Sequence, residues 1–327
     1  MYKVSVLIPT YNSASHIGRC LESAFSQTLG GIEYIIVDDA STDDTLTRIR
    51  ETMASFPDRA QDVRIISHQV NLGSCAARKT ALEAASGEFI IHLDSDDWVD
   101  AGCYEAMYIK AVTTGADVVC CSYVEEREGG PCKGRFGASV PRDYDQRLGA
   151  VIALKAAPFV WSKLARRSLF CDSRFRHPAH DMAEDWVLCV QYALIARKWE
   201  YIEKPFYHYR INSSSISHNA ATKGNAIRIM EMEKNNVEDV AIQLQDLSIA
   251  DRYAREIEAR KSNVKRFLLP FLTDKDARRL WKSTFPEINI SMLVNRLIPA
   301  EYRVKHAFAL LGLYSSLYGA FNTIRRK

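Results

Sequence analysis

The sequence predicts an α/β fold, with a mainly parallel sheet flanked by helices on both faces and a helical C-terminal region after it. Three observations carry this expectation. Short apolar runs alternate with stretches of helical spacing through the N-terminal third. Two of those runs end at acidic clusters, where the carboxyl edge of a parallel sheet would gather them. Beyond about residue 220 the strand-like runs give way to helical, richly charged patterns.

Each element has its own signal. Residues 4–8 form an apolar run closed by Pro9, which predicts a buried strand. Residues 15–27 place Ile17, Leu21, Ala24 and Phe25 at helical spacing, with Ser13 or Ser15 available as a cap. A second strand over 34–37 ends at Asp38-Asp39, and a helix over 42–56 follows with Leu46, Ile49 and Met53 on one face. A third strand over 63–66, an Ala-rich helix over 74–85 and a fourth strand over 88–93 complete the alternation. A helix over 104–114 and a fifth strand over 117–123 come next. Residues 125–142 are rich in Gly and charge and predict a loop. A helix over 185–197 and a polar stretch at 213–217 close this half. The division predicted is residues 1–220 and residues 221–327.

Bulk composition narrows the function. The 327 residues are 47% hydrophobic and 25% charged, which suits a globular core. A net charge of +3 is too mild to argue for nucleic acid as a partner. None of the eight cysteines sits in a CxxC pair, so they are expected to be reduced core thiols of a cytoplasmic protein. Residues 4–8 are too short an apolar run for a signal peptide. Residues 307–324 carry no charge but include Gly312, Ser315, Ser316, Gly319 and Asn322, a poor composition for a membrane span. P-loop, zinc and GxSxG nucleophile patterns are absent.

The chemistry is written in three clusters. Asp94-Ser95-Asp96-Asp97 sets three carboxylates in four residues at a strand end. Their repulsion calls for a cation, and Mg²⁺ or Mn²⁺ favours carboxylate and phosphate oxygens together. A solvated acidic turn is the plain alternative for such a cluster alone. Asp38-Asp39 marks a second acidic strand end that would open on the same crevice. Between them, Asn71-Leu72-Gly73 leads into a helix bearing Arg78, suited to an anionic or nucleotide ligand.

These segments, with residues 4–12 (VSVLIPTYN), 36–43 (IVDDASTD) and 87–97 (GEFIIHLDSDD), resemble family 2 glycosyltransferases of the GT-A fold. The resemblance is close over residues 3–100 and looser to about 217. It implies that Pro9, Thr10, Tyr11 and Asp39 hold the nucleobase, with Asn71, Gly73 and Arg78 at the donor. Asp94, Ser95 and Asp96 would hold the ribose and the metal–diphosphate, with Asp97 sharing the metal. Ala40 departs from the family's usual Gly. The family's catalytic base maps onto Asp185, preceded by Glu184 and followed by Trp186. A general base there would take the acceptor proton while the hydroxyl attacks the anomeric carbon and inverts it. Trp161, Lys163, Trp186 and Arg210 are candidates for acceptor or diphosphate contact, and His208 for the metal. A core position is the alternative for Trp161, a surface position for Lys163 and a structural role for His208.

The resemblance thus implies an inverting hexosyltransferase. It would use a nucleotide-diphosphate sugar, by family habit a UDP-sugar, with Mn²⁺ or Mg²⁺. The acceptor would be a hydroxyl of a glycan or lipid-linked molecule in polysaccharide biosynthesis. A non-catalytic nucleotide-sugar-binding scaffold is the alternative from another class. A nucleotidylyltransferase would need a Gly-rich basic loop after the first strand, where this chain has Pro9-Thr10-Tyr11-Asn12. Residues 302–327 combine apolar runs with basic ends and suit either a core-packing helix or a peripheral helix on an anionic membrane.

Overall fold

The computed structural model describes residues 2–127, 130–134, 140–211 and 222–314. Two compact units divide the chain: Met1–Val151 with Lys155–Asn212, and Ile152–Leu154 with Ser213–Lys327.

The first unit is built on one sheet in the order β3-β2-β1-β4-β8-β6-β9-β5, with β7 paired to β6. Strands β1 (Val4–Thr10), β2 (Ile32–Asp38), β3 (Val63–Ser67) and β4 (Phe89–His92) are mutually parallel. The other strands are β5 (Trp98–Val99), β6 (Val118–Glu126), β7 (Cys132–Lys133), β8 (Lys163–Arg166) and β9 (Trp199–Arg210). The helices of this unit are α1 (Ile17–Phe25), α2 (Thr45–Ala54), α3 (Pro57–Ala60), α4 (Ser74–Ala84), α5 (Cys103–Thr114), α6 (Tyr144–Ile152) and α7 (Glu184–Ile195).

Alternation along β1 explains the layering. Val4, Val6 and Ile8 point to one face, where Leu21 and Phe25 of α1, Ile49 of α2 and Met107 of α5 cover them. Leu7 points to the other face and packs with Ile35, Val37 and Ile90 against Ala77 and Ala81 of α4. Small residues on α4 let that helix sit close to the sheet, which is why an Ala-rich segment serves there. Both faces are dry, so these strands read as continuous apolar runs rather than alternating ones.

The sheet is less uniform than strand–helix alternation predicts. β8 runs antiparallel between β4 and β6, and β5 is antiparallel to β9. β6 and β9 pair in parallel with register shifts after Cys121 and Ser122. The predicted loop over 125–142 begins instead as the β6–β7 hairpin. His16 takes the N-cap position of α1 with no side-chain cap, so neither Ser13 nor Ser15 serves there. All eight cysteines are free and six are buried.

The second unit is helical: α8 (Lys223–Asp246), α9 (Ala254–Lys265), α10 (Lys275–Ser283) and α11 (Ala300–Leu310). Its core joins Met230, Val237, Val264, Leu268, Trp281 and Met292, with a buried Arg260–Glu233 pair at 2.8 Å. Asp274 caps α10 by accepting the Asp276 and Ala277 N–H groups. Among the described residues no helix is long and apolar enough to cross a membrane. The polar stretch at 213–217 and the basic end at 325–327 lie outside the described residues.

Candidate active site

The carboxyl ends of β1, β2 and β4 lie side by side at one edge of the sheet, and the two acidic clusters follow the ends of β2 and β4. β1 and β2 finish in register, Thr10 beside Asp38. The chain then turns through two left-handed residues, Asn12 and Ala40. The Asp39 N–H donates to Thr10 O at 2.9 Å, which fixes the two ends together. Ala40 tolerates this φ of 61°, though glycine adopts it more easily. Tyr11 is 47% exposed at the rim, whereas Thr10 is buried with an unpartnered hydroxyl.

Asp39 is almost wholly engaged. Its Oδ1 accepts the Leu72 N–H at 2.9 Å and lies 2.6 Å from His68 Nδ1; its Oδ2 accepts the Gly73 N–H at 2.8 Å. One acceptor position remains, on Oδ2. His68 Nε2 in turn meets Thr80 Oγ1 at 3.0 Å. His68 was not foreseen, because nothing in its spacing ties it to Asp39. Asn71 Nδ2 reaches the Asp39 carbonyl at 3.3 Å. Gly73 has φ +93°, and a Cβ there would lie 2.3 Å from the Asp181 carboxylate, so only glycine fits.

The acidic turn after β4 splits into acids with different surroundings. Asp94 pairs with Arg78 at 2.7 Å. Ser95 Oγ lies 2.8 Å from Ser13 Oγ, which ties the turn to the β1 loop. Asp96 forms no salt bridge among the described residues, and burial together with Asp94 pushes its carboxyl up to about 6. Pairing a cation with it would reverse that cost. Asp97 differs: it is buried, its Oδ2 accepts the Tyr207 hydroxyl at 2.7 Å, and its Oδ1 accepts the Arg210 N–H at 2.7 Å. Burial and its acidic neighbours push Asp97 well above the usual carboxylate range. Asp97 thus fastens the turn to β9, and each of its oxygens keeps a lone pair beyond these bonds. Among the described residues no cluster of three or more His, Cys, Asp or Glu side chains is set to hold a metal alone. A hard cation would fit here as Mg²⁺ or Mn²⁺ usually binds, through one or two carboxylates with phosphate and water supplying the rest.

Arg78 is the centre of the site. It is 5% exposed on α4, and its guanidinium reaches Asp94 at 2.7 Å, Asp185 at 3.5 Å and Glu184 at 3.8 Å. Burial works against its charge, but Asp94, Asp185 and Glu184 together raise its pKa above the ordinary value. The sequence suggested a ligand-facing cation; the structure instead gives Arg78 three protein carboxylates. Glu184 and Asp185 open α7 after Ala183, which is left-handed at φ 65°. Burial pushes both acids up, with Asp185 adding to the rise at Glu184 and Arg78 opposing it at both. Asp185 Oδ2 accepts the Val160 N–H at 3.3 Å, while its buried Oδ1 accepts no hydrogen bond. An acid poised in this way, with a free lone pair, can take a proton.

Four other candidates are corrected. Trp161 is 3% exposed and stacks on Tyr207 at 4.1 Å and Phe159 at 4.8 Å, so it cannot offer its face to a sugar. Lys163 is buried with its ammonium donating to the Ala157 and Phe159 carbonyls, so it ties down a loop rather than touching phosphate. Trp186 is buried and donates from Nε1 to Val151 O at 3.1 Å. His208 lies on the face of β9 opposite Tyr207, with its nitrogens 2.8 Å from Glu126 and 3.1 Å from Asp100 and its ring stacked on Trp98. Both nitrogens are used away from the acidic turn, so His208 is not a metal ligand. Arg210 does stay near the turn: its backbone holds Asp97, its charge lowers Asp96, and its guanidinium rests against the His16 ring.

Acids gathered at the carboxyl edge of a largely parallel sheet stand where α/β folds bind their ligands. The glycosyl transferase family 2 model matches residues 5–170, and the chain belongs to that family. EpsH of Bacillus subtilis, which carries a glycosyltransferase name, is 36% identical over 65% of this chain and 62% of its own length. Glycosyltransferase GlyA of Streptococcus pneumoniae is 31% identical over 66% of this chain and 31% of its own length. The chain thus spans less than two thirds of these relatives. Among solved structures, S. aureus TarS 1–349 in complex with UDP-GlcNAc superposes with a TM-score of 0.66 at 17% identity, covering 99% of this chain and 92% of that one. The mannosyltransferase PcManGT from Pyrobaculum calidifontis, in complex with GDP-Man and Mn²⁺, gives 0.52 at 18% identity, covering 98% and 88%. These two likenesses concern the GT-A fold, which the chain shares.

Proposed function

We propose that this chain is an inverting hexosyltransferase that moves a sugar from a UDP-sugar to an acceptor hydroxyl in glycan or polysaccharide biosynthesis. The observation that carries the proposal is the Arg78 bridge. It brings Glu184 and Asp185, from the start of α7, to the acidic turn that begins at Asp94. Asp185 is the general base: its Oδ1, 3.5 Å from the Arg78 guanidinium and accepting no hydrogen bond, takes the proton of the attacking hydroxyl. Glu184 orients the pair. Tyr11 and Asp39 frame the nucleobase, Asp94 and Ser95 face the ribose, and Asp96 holds Mn²⁺ or Mg²⁺ against the diphosphate. When bound, such an ion neutralises charge on the leaving diphosphate. Arg210 adds positive charge on the same side. UDP-GlcNAc bound to TarS and Mn²⁺ bound to PcManGT support the donor class and the metal.

Catalysis belongs, on this proposal, to residues 1–220 at the cytoplasmic side of a membrane. Residues 221–327 supply a peripheral contact with an anionic lipid surface, where Val304 and Leu311 are exposed beside Arg303 and Lys305. Flotation with anionic liposomes tests that contact, and equal flotation of a chain lacking residues 300–327 rejects it. The donor site is tested by calorimetry with UDP, GDP and dTDP, with Mn²⁺ and then with EDTA. Metal-dependent binding selective for UDP is expected. Asp185→Asn is expected to retain that binding while turnover falls about 10²- to 10⁴-fold, the usual contribution of a general base. Near-normal turnover in Asp185→Asn rejects the base assignment.

A further inference from the structure

Asp181 lies outside every sequence motif, yet it touches the turn that joins the two sides of the crevice. Its Oδ1 accepts the Cys75 N–H at 2.9 Å and the Ser74 hydroxyl at 3.4 Å. The same hydroxyl reaches Glu184 Oε1 at 3.1 Å, so Ser74 is shared between Asp181 and the first residue of α7. A Cβ on Gly73 would lie 2.3 Å from the Asp181 carboxylate, so the turn passes it only as glycine. On the opposite side, the Leu72 and Gly73 N–H groups are bound by Asp39. Residues 72–75 are therefore gripped by one carboxylate from the donor side and by another from the segment leading to the base.

The plainer account is that Asp181 only caps α4, whose N-cap residue Gly73 has no side chain to do so. Two features exceed a cap. Ala183, between Asp181 and Glu184, holds a left-handed φ of 65°, a conformation that persists in a non-glycine residue only where surroundings enforce it. Asp185 itself is lightly restrained, by a 3.3 Å hydrogen bond from Val160 N and a 3.5 Å contact with Arg78. The direction in which Asp185 points is thus set by how α7 begins, and the start of α7 is fixed by the anchor at Asp181.

We propose that Asp181 is a positioning residue for the acceptor base: by fastening the turn 181–183 to the first turn of α4, it fixes the line along which Asp185 meets the acceptor hydroxyl. The proposal rests on the transferase function above. It predicts a loss confined to the chemical step, since a misplacement on the order of 1 Å can cost about 10²-fold in rate.

The test uses the full chain as Asp181→Ala, Asp181→Asn and Ser74→Ala. Four measurements are made: kcat and KM with a UDP-sugar, the Kd of UDP with Mn²⁺, thermal melting, and amide hydrogen exchange over residues 181–188. In Asp181→Ala, kcat should fall ~10- to 100-fold, the UDP Kd should stay within about twofold, and exchange should quicken. Asp181→Asn keeps an oxygen for the Cys75 N–H and should recover most of kcat. Ser74→Ala removes only the hydroxyl link and should lower kcat with UDP binding intact, which keeps the test decisive if Asp181→Ala does not fold. Unchanged kcat in a folded Asp181→Ala or Ser74→Ala overturns the proposal. So does a loss of UDP affinity as large as the loss of kcat, which would place Asp181 on the donor turn alone. A wild-type chain that transfers no sugar from any nucleotide donor rejects the transferase function itself, while exchange over 181–188 still reports whether the anchor exists.

Discussion

Arg78→Met removes the one cation that three buried or half-buried acids share, while a side chain of similar reach fills the space. The guanidinium sits 2.7 Å from Asp94, 3.5 Å from Asp185 and 3.8 Å from Glu184, at 5% exposure. At an effective dielectric of about 20, each such contact is worth roughly 4 kcal/mol gross, but burying the charges costs a comparable amount. The net penalty for deleting one partner of a buried ionic cluster is about 3–5 kcal/mol, because the others stay buried without compensation. The sign with pH follows from the acids. Arg78 now opposes the rise at Glu184 and Asp185, so without it both rise further. A carboxyl whose folded pKa is raised adds stability at low pH and loses that contribution as pH climbs through the folded value. The deficit should be largest near pH ~8 and shrink toward pH ~5. Urea denaturation at the two values measures it. A deficit under about 1 kcal/mol, or one equal at both, would show that Arg78 does not hold these acids together.

Asp96 and Asp97 should separate cleanly by calorimetry: Asp96→Asn loses Mn²⁺-dependent UDP binding, while Asp97→Asn, which replaces a carboxyl already pushed toward its neutral form, retains it. Equal losses would return Asp97 to the metal. The pH–rate profile of the wild type should fall on its acid side with a midpoint above the ordinary aspartate value of ~3.9, because the base must be ionised and burial raises Asp185. A midpoint at or below that value contradicts Asp185 as base. Trp161→Ala should cost about 3–5 kcal/mol in urea denaturation, as a large core truncation does, with acceptor KM unchanged in the folded fraction. A raised KM without loss of stability would restore Trp161 to the acceptor site.

What the sequence disclosed and what it hid follow from the range of each interaction. β1 to β4 and the acids at their ends were legible because apolar runs, Pro9 and Asp94 to Asp97 are local signals. Strand direction is not local: β8 is only Lys-Leu-Ala-Arg, with a charge at each end, and its partners alone make it an antiparallel strand. Residue type misled at Trp161, Lys163 and Trp186, where an aromatic or basic side chain near a motif points into the core instead of the crevice. A buried lysine is legible only when the carbonyls that receive it are known, and Ala157 O and Phe159 O carry no sequence signal. The partners of Arg78 were not legible, because Glu184 and Asp185 lie far along the chain. His68 and Asp181 had no signal of their own, since both act through backbone or side-chain contacts made only after folding.

The Tyr207 hydroxyl donates to Asp97 and receives the Asp94 N–H at 3.3 Å, so the acidic turn is stitched to the last strand of the sheet. The family match stops at residue 170, before α7 and β9 begin. A nascent chain that had emerged to that point would hold every strand-end motif and still have an unfinished turn, with Asp97 lacking both its donors and Arg78 two of its acids. Completion of the acidic turn is thereby tied to closure of a long loop, a slow kind of contact to make. The chain cannot finish its acidic turn before α7, with Glu184 and Asp185, has been made.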